Sequence, residues 1–161
     1  MTVVNVEKDL ENLTLTMVAE FSAPVERVWQ VWEDPRQLER WWGPPTWPAT
    51  FATYEFEVGG KARYFMTGPD GTKAGGWWTI TAIDAPYRFE FDDGFAGDDG
   101  EPVDPEDKTS SVVTLESHNG GTKMTFIGTF KDSEQLQKMV AMGMVEGLTA
   151  AMGQIDALLT A

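Results

Sequence analysis

The end of the chain constrains the fold most. Leu136, Val140, Met144, Leu148, Ala151, Ile155 and Leu159 recur every three or four positions. That spacing draws one apolar stripe along a helix. Asp132 can cap it, with Gln135 three residues further on. The pattern predicts a single helix over residues 133–159, about 40 Å long at ~1.5 Å per residue. One apolar face of that length needs a broad apolar surface against it.

The preceding sequence supplies that surface as strands. Leu13, Leu15, Met17, Ala19 and Phe21 alternate with their neighbours, a half-buried strand. Ser22-Ala23-Pro24 then opens a helix carrying Val25, Val28, Trp29 and Trp32. Asp34-Pro35 starts a second, short helix, which Trp41-Trp42-Gly43-Pro44-Pro45 ends. Tyr54, Phe56 and Val58 read as the next strand, and Ala62, Tyr64 and Met66 as another after Gly59-Gly60. Residues 77–83, 87–91, 110–117 and 122–130 complete the set. The expected fold is α+β: a curved antiparallel sheet of about seven strands around one long C-terminal helix, with two short helices after the first strand. Residues 13–161 form one domain in this reading, and residues 1–12 an extension. A cavity opens between sheet and helix wherever the facing side chains do not fill it.

Charge and composition exclude several functions. Among 161 residues there are 12 basic and 26 acidic side chains, giving a net charge of −14, with one histidine and no cysteine. Binding to nucleic acid needs clustered Lys and Arg, which this balance opposes. Without cysteine there is no disulfide, thiol nucleophile or thiolate metal site. The N-terminus lacks a basic start followed by an apolar run, so a cytoplasmic location is expected. No apolar stretch approaches the ~18–20 residues of a membrane span.

Ser22-Ala23-Pro24-Val25-Glu26-Arg27-Val28-Trp29, followed by Leu38-Glu39-Arg40-Trp41-Trp42-Gly43-Pro44, resembles the opening of START-like (SRPBCC) helix-grip proteins. More narrowly it is similar to the branch named for the ATPase activator of heat-shock protein 90. Gly75-Gly76-Trp77-Trp78, Ile83-Asp84-Ala85-Pro86 and Glu146-Gly147-Leu148 extend the resemblance over about residues 13–159. It implies the helix-grip fold and a cavity for apolar small molecules or lipids. In some members it implies polyketide cyclisation, and in the eukaryotic namesake a co-chaperone role. The family often carries Gly-Trp where this chain has Gly147-Leu148, a departure that changes the cavity.

Strand phase selects the candidate ligand-binding residues. Tyr64, Met66, Trp78, Phe89, Phe91 and Phe126 come from the sheet, and Met139, Gly143 and Gly147 from the helix. Adjacent strand residues face opposite ways, so of Trp77 and Trp78 only Trp78 is expected inward, with Ile80. Trp41 and Trp42 are placed at the cavity rim. Glycine costs roughly 1 kcal/mol against alanine inside a helix, so Gly143, Gly147 and Gly153 need an offset. Close packing on the sheet and room for a ligand are the two accounts.

Residues 92–107 hold eight carboxylates, read as a solvated loop. From Asp93 the third and fifth positions are Phe95 and Gly97, which fits no EF-hand loop. Neither a metal nor a cofactor is expected. The lone His118 falls in a turn, away from any paired base, and argues against catalysis. Arg63 and Glu90 are expected to face water. The leading expectation is an apolar or aromatic small-molecule ligand. A polyketide cyclase-like enzyme is one alternative. A protein-interaction module, with a protein partner or a second copy of the chain at Trp41–Trp47 or the acidic loop, is the other.

Overall fold

The computed structural model describes residues 2–160. Its elements run β1 (Val3–Asp9), β2 (Thr14–Phe21), α1 (Val25–Glu33), α2 (Pro35–Trp41), β3 (Ala49–Tyr54), β4 (Lys61–Thr67) and β5 (Lys73–Asp84). Then come β6 (Arg88–Ala96), β7 (Thr109–His118), β8 (Gly121–Thr129), α3 (Ser133–Ala141), α4 (Met144–Gly153) and α5 (Ile155–Leu159). The strands form one antiparallel sheet of eight in the order β1-β2-β8-β7-β6-β5-β4-β3. This is the expected α+β helix-grip fold with one strand more. Segment 1–12, read as an extension, supplies that strand: β1 pairs with β2 at the sheet edge. Only Val3 of β1 is buried, so the segment has no alternation to reveal it, and Glu7, Lys8 and Asp9 keep the edge charged.

The alternation in β2 buries Leu15, Met17, Ala19 and Phe21 against the helices. Helix α1 buries Val25, Val28, Trp29, Val31 and Trp32. The Asp34 carboxylate accepts from the Arg36 backbone N–H at 2.9 Å and starts α2. Trp32 and Trp41 meet edge to face at 4.6 Å, Trp32 and Phe89 at 5.1 Å, and Trp78 stacks on Phe91 at 4.2 Å. These rings fill the part of the concave face beneath α1 and α2.

Two boundaries differ from the sequence reading. The strand expected at Tyr54, Phe56 and Val58 ends at Tyr54, and the turn to β4 begins after it. Phe56 packs on Trp29 and stacks on Tyr54, while Val58 is exposed. Apolar spacing there reflects ring packing at a turn. Strand β5 carries a bulge between Ile80 and Ala82. The extra residue resets the phase, so Trp78 and Ile80 and then Ile83 all pack inward although they do not alternate throughout.

The largest correction concerns the single C-terminal helix. It is three segments. Gly143 stands at φ +92, a left-handed backbone angle that β-carbons resist. It breaks the chain between α3 and α4, so its glycine sits outside a helix interior. At the second break the Gln154 side chain donates to the carbonyls of Trp41 (3.3 Å) and Gly43 (2.8 Å). That tie fixes the α4–α5 junction to the corner after α2. The Asp132 cap is as expected, accepting from the Gln135 N–H at 2.7 Å. No helix is long and apolar enough to cross a membrane among the described residues.

Candidate functional site

The α1 and α2 tryptophans cover only part of the concave face. Over the rest, β4, β6, β7 and β8 face α3 and α4 across a cavity of about 340 Å3. Tyr64, Met66 and Phe126 of the sheet line it, with Met139, Gly143 and Gly147 of the helical side and Trp42 at one end. Trp78, Phe89 and Phe91 do not line it. Strand phase is correct for their face but blind to what covers it. All three are buried in the aromatic core, as is Trp41, which donates its indole N–H to the Val31 carbonyl at 2.8 Å.

The bend at Gly143 shapes this space. A β-carbon on Gly147 would meet nothing within 4 Å, so close packing does not explain that glycine. Gly147 lies on the cavity wall. Met139, Met142 and Met144 form much of the helical wall, with Leu148 and Ala151. Methionine adapts to irregular gaps and varied contents.

The polar part of the lining is small: Tyr64, Asp93, Thr109 and Ser111. The sequence pattern groups Asp93 with the acidic loop. It belongs to β6, directly across from Trp78 on β5 and Thr109 on β7. The missed signal was the period itself, because Phe89, Phe91 and Asp93 share one face of the strand. The Thr109 hydroxyl donates to Asp93 Oδ1. Burial pushes the Asp93 carboxyl up to about 6; the Thr109 bond opposes the shift and the neighbouring Asp92 charge adds to it.

Tyr64 crosses the cavity floor beside this carboxyl. Burial, and then the charge of Asp93, hold its hydroxyl far above the usual phenol range, so it keeps its proton. The indole N–H groups of Trp42 and Trp78 favour the phenolate in the opposite sense, acting on the Tyr64 oxygen. Both indole N–H groups lie outside hydrogen-bond geometry among the described residues, so this pull on the Tyr64 oxygen is a weak one. The Tyr64 ring passes over Gly76, its cross-strand neighbour, where a β-carbon would lie 2.3 Å from the phenolic oxygen.

The other candidates lie apart. Arg63 is directed to the opposite face, donating to the Ala62 carbonyl at 3.0 Å and pairing with Glu101 at 3.4 Å. Glu90 pairs with Arg88 at 2.9 Å on the surface. His118 stands 3.8 Å from Glu20, also at the surface. The acidic segment is partly structured: Asp92 is held by Lys108 and Ser110, and Asp107 by Lys131 and Gln135. No group of three His, Cys, Asp or Glu side chains among the described residues is arranged to hold a metal ion.

A curved antiparallel sheet closed by a C-terminal helical layer over an apolar cavity defines a START-like helix-grip protein. Residues 22–160 match the model of the family described as activator of Hsp90 ATPase homolog 1-like protein, and the chain belongs to that family. It is similar to a crystal structure of a Mycobacterium smegmatis protein at 51% identity and TM-score 0.91, covering 99% of this chain and 98% of that one. It is similar to a solution structure from Arthrobacter aurescens at 62% identity and TM-score 0.93, covering 99% and 92%. A Staphylococcus epidermidis structure shares the fold at 25% identity and TM-score 0.85, covering 98% and 94%. No curated protein matches the chain.

Proposed function

We propose that the chain binds an apolar or aromatic small molecule in the cavity between the sheet and α3–α4. One observation carries this reading: Gly147 faces open space in a cavity of about 340 Å3 walled by methionine and aromatic side chains. Natural ligand sites are concave, mostly apolar and supplied with a few polar groups that fix orientation. Tyr64, Asp93, Thr109 and Ser111 fit that second role. Native mass spectrometry of protein purified from its own host tests the reading. The expected result is an added small-molecule mass that disappears on denaturation. A bare mass, together with unmoved Met66, Met139 and Met144 methyl resonances across a panel of apolar aromatics, overturns it.

A second reading is a polyketide cyclase-like enzyme. It requires an acid or base in the cavity, and Asp93 is a carboxyl on that wall with its pKa raised to about 6. General acid–base groups work best when poised near the working pH. Loss of turnover on an enolisable aromatic polyketide mimic in Asp93→Asn, with binding retained, is the expected result for this reading. Absence of turnover in the unaltered protein rejects it.

A further inference from the structure

Asp93 is the only ionised side chain on the cavity wall among the described residues; no Lys or Arg lines it. Its Oδ1 is engaged by Thr109, and Oδ2 has neither a hydrogen bond nor an ion pair among the described residues. The charged groups near it give no compensation. Asp92, next on the strand, is already paired with Lys108 at 3.0 Å. From β4 comes Tyr64, from β5 Trp78, and from β7 Thr109, all uncharged. Across the cavity α3 and α4 present Met139 and Met144, both uncharged. A half-buried carboxylate in this setting lacks a cation.

The surrounding walls are suited to one. Trp42, Tyr64 and Phe126 line the same space. A cation over an aromatic face is attracted by the ring's negative face, more strongly as water is excluded. The net charge of −14 also draws cations toward the molecule. A carboxylate-headed ligand would instead bring a like charge against Asp93.

We propose that Asp93 makes this cavity selective for a protonated amine carried on an apolar or aromatic body, and excludes the matching carboxylate. This rests on the ligand-binding reading above and names its ligand class. The ammonium would pair with Oδ2 while the aromatic walls hold the body and its charge.

The test compares three probes that share one body: 2-(2-naphthyl)ethylamine, 2-(2-naphthyl)ethanol and 2-naphthylacetate. Calorimetric titration is followed by methionine methyl spectra that locate the bound probe. Near pH 8 the amine is expected to bind about tenfold or more tighter than the alcohol, with the acetate weakest. Near pH 5, where Asp93 is mostly protonated, the amine advantage over the alcohol falls to about threefold or less. Asp93→Asn is expected to lose the amine preference over the alcohol at both pH values. The pH series on the unaltered protein gives the same answer should that variant not fold. An amine no tighter than the alcohol, or an acetate as tight as the amine, overturns the selectivity and leaves the apolar cavity as a binding site. Binding by none of the three overturns both.

Discussion

Tyr64 lies across Gly76 so closely that a β-carbon at Gly76 would stand 2.2 Å from its ring carbon Cζ. The hydroxyl position at the cavity floor therefore depends on a missing side chain one strand away. Gly76→Ala is expected to destabilise the fold by about 1–3 kcal/mol, the usual range for overpacking, and to displace the hydroxyl. Replacing Tyr64 by alanine in the same chain removes the clash, so the two losses should sum to more than the double variant shows. Urea unfolding of the four proteins measures the coupling. Additive losses would refute this account of the pair.

The cavity glycines make opposite predictions. Gly143 holds φ +92, and alanine there is strained by about 1–2 kcal/mol. Gly147 lies within α4 with open space around it, so alanine should stabilise by up to about 1 kcal/mol through helix propensity. Gly147→Leu projects a larger side chain into the same space and should abolish probe binding without unfolding the protein. Thermal unfolding and a binding titration on each variant check the signs. A destabilising Gly147→Ala would mean that the space is not there.

How far the sequence reaches can be read from these same residues. Period-two alternation located six of the eight strands, because each buries one face; β1 escaped because only Val3 is buried, and β3 lies before the spacing at Tyr54, Phe56 and Val58, which belongs mostly to a turn. The apolar stripe of the C-terminal segment was legible, but the break at Gly143 was not. A glycine in a helical pattern does not announce its φ. Tyr64, Met66, Phe126, Met139, Gly143 and Gly147 lie around the cavity, whereas Trp78, Phe89 and Phe91 share the correct face and fall under α1 and α2. Strand phase reports which side a residue faces, and only tertiary packing decides whether a helix or an empty space lies over it. Asp93 was hidden by its neighbours: a run of acidic residues looks like a loop, although the alternation from Phe89 continues through it.

Asp93 also gives the protein a dependence on pH. Its folded-state pKa of about 6 lies above the ordinary 3.8, so the folded state holds the proton more tightly than the unfolded chain. From this group alone, stability falls as pH rises from about 4 to about 6, and the cost is complete above that window. Asp93→Asn keeps an acceptor for Thr109 without the charge. It should therefore stabilise the protein by about 2 kcal/mol near pH 8, allowing for partial solvation, and by close to nothing below about pH 4. Unfolding midpoints of both proteins across that range measure the difference. An equal difference at every pH would show that the charge is not its source.

Core and cavity aromatics can be separated by a paired substitution. Phe91 is almost fully buried and stacks on Trp78 at 4.2 Å and on Phe89 at 5.7 Å. Phe91→Leu keeps an apolar side chain but loses both ring contacts. It should lower stability by about 1–3 kcal/mol and leave probe affinity within about twofold of the starting value. Met139 is half-buried at the cavity wall. Met139→Ala enlarges the space on that side and removes an adaptable contact from a bound molecule. It should weaken an aromatic probe by about three- to tenfold while costing less stability than Phe91→Leu, because a half-buried side chain loses less transfer free energy. Each variant needs both a denaturation curve and a binding isotherm. If Phe91→Leu changed affinity and Met139→Ala did not, the ligand would occupy the aromatic core beneath α1 and α2.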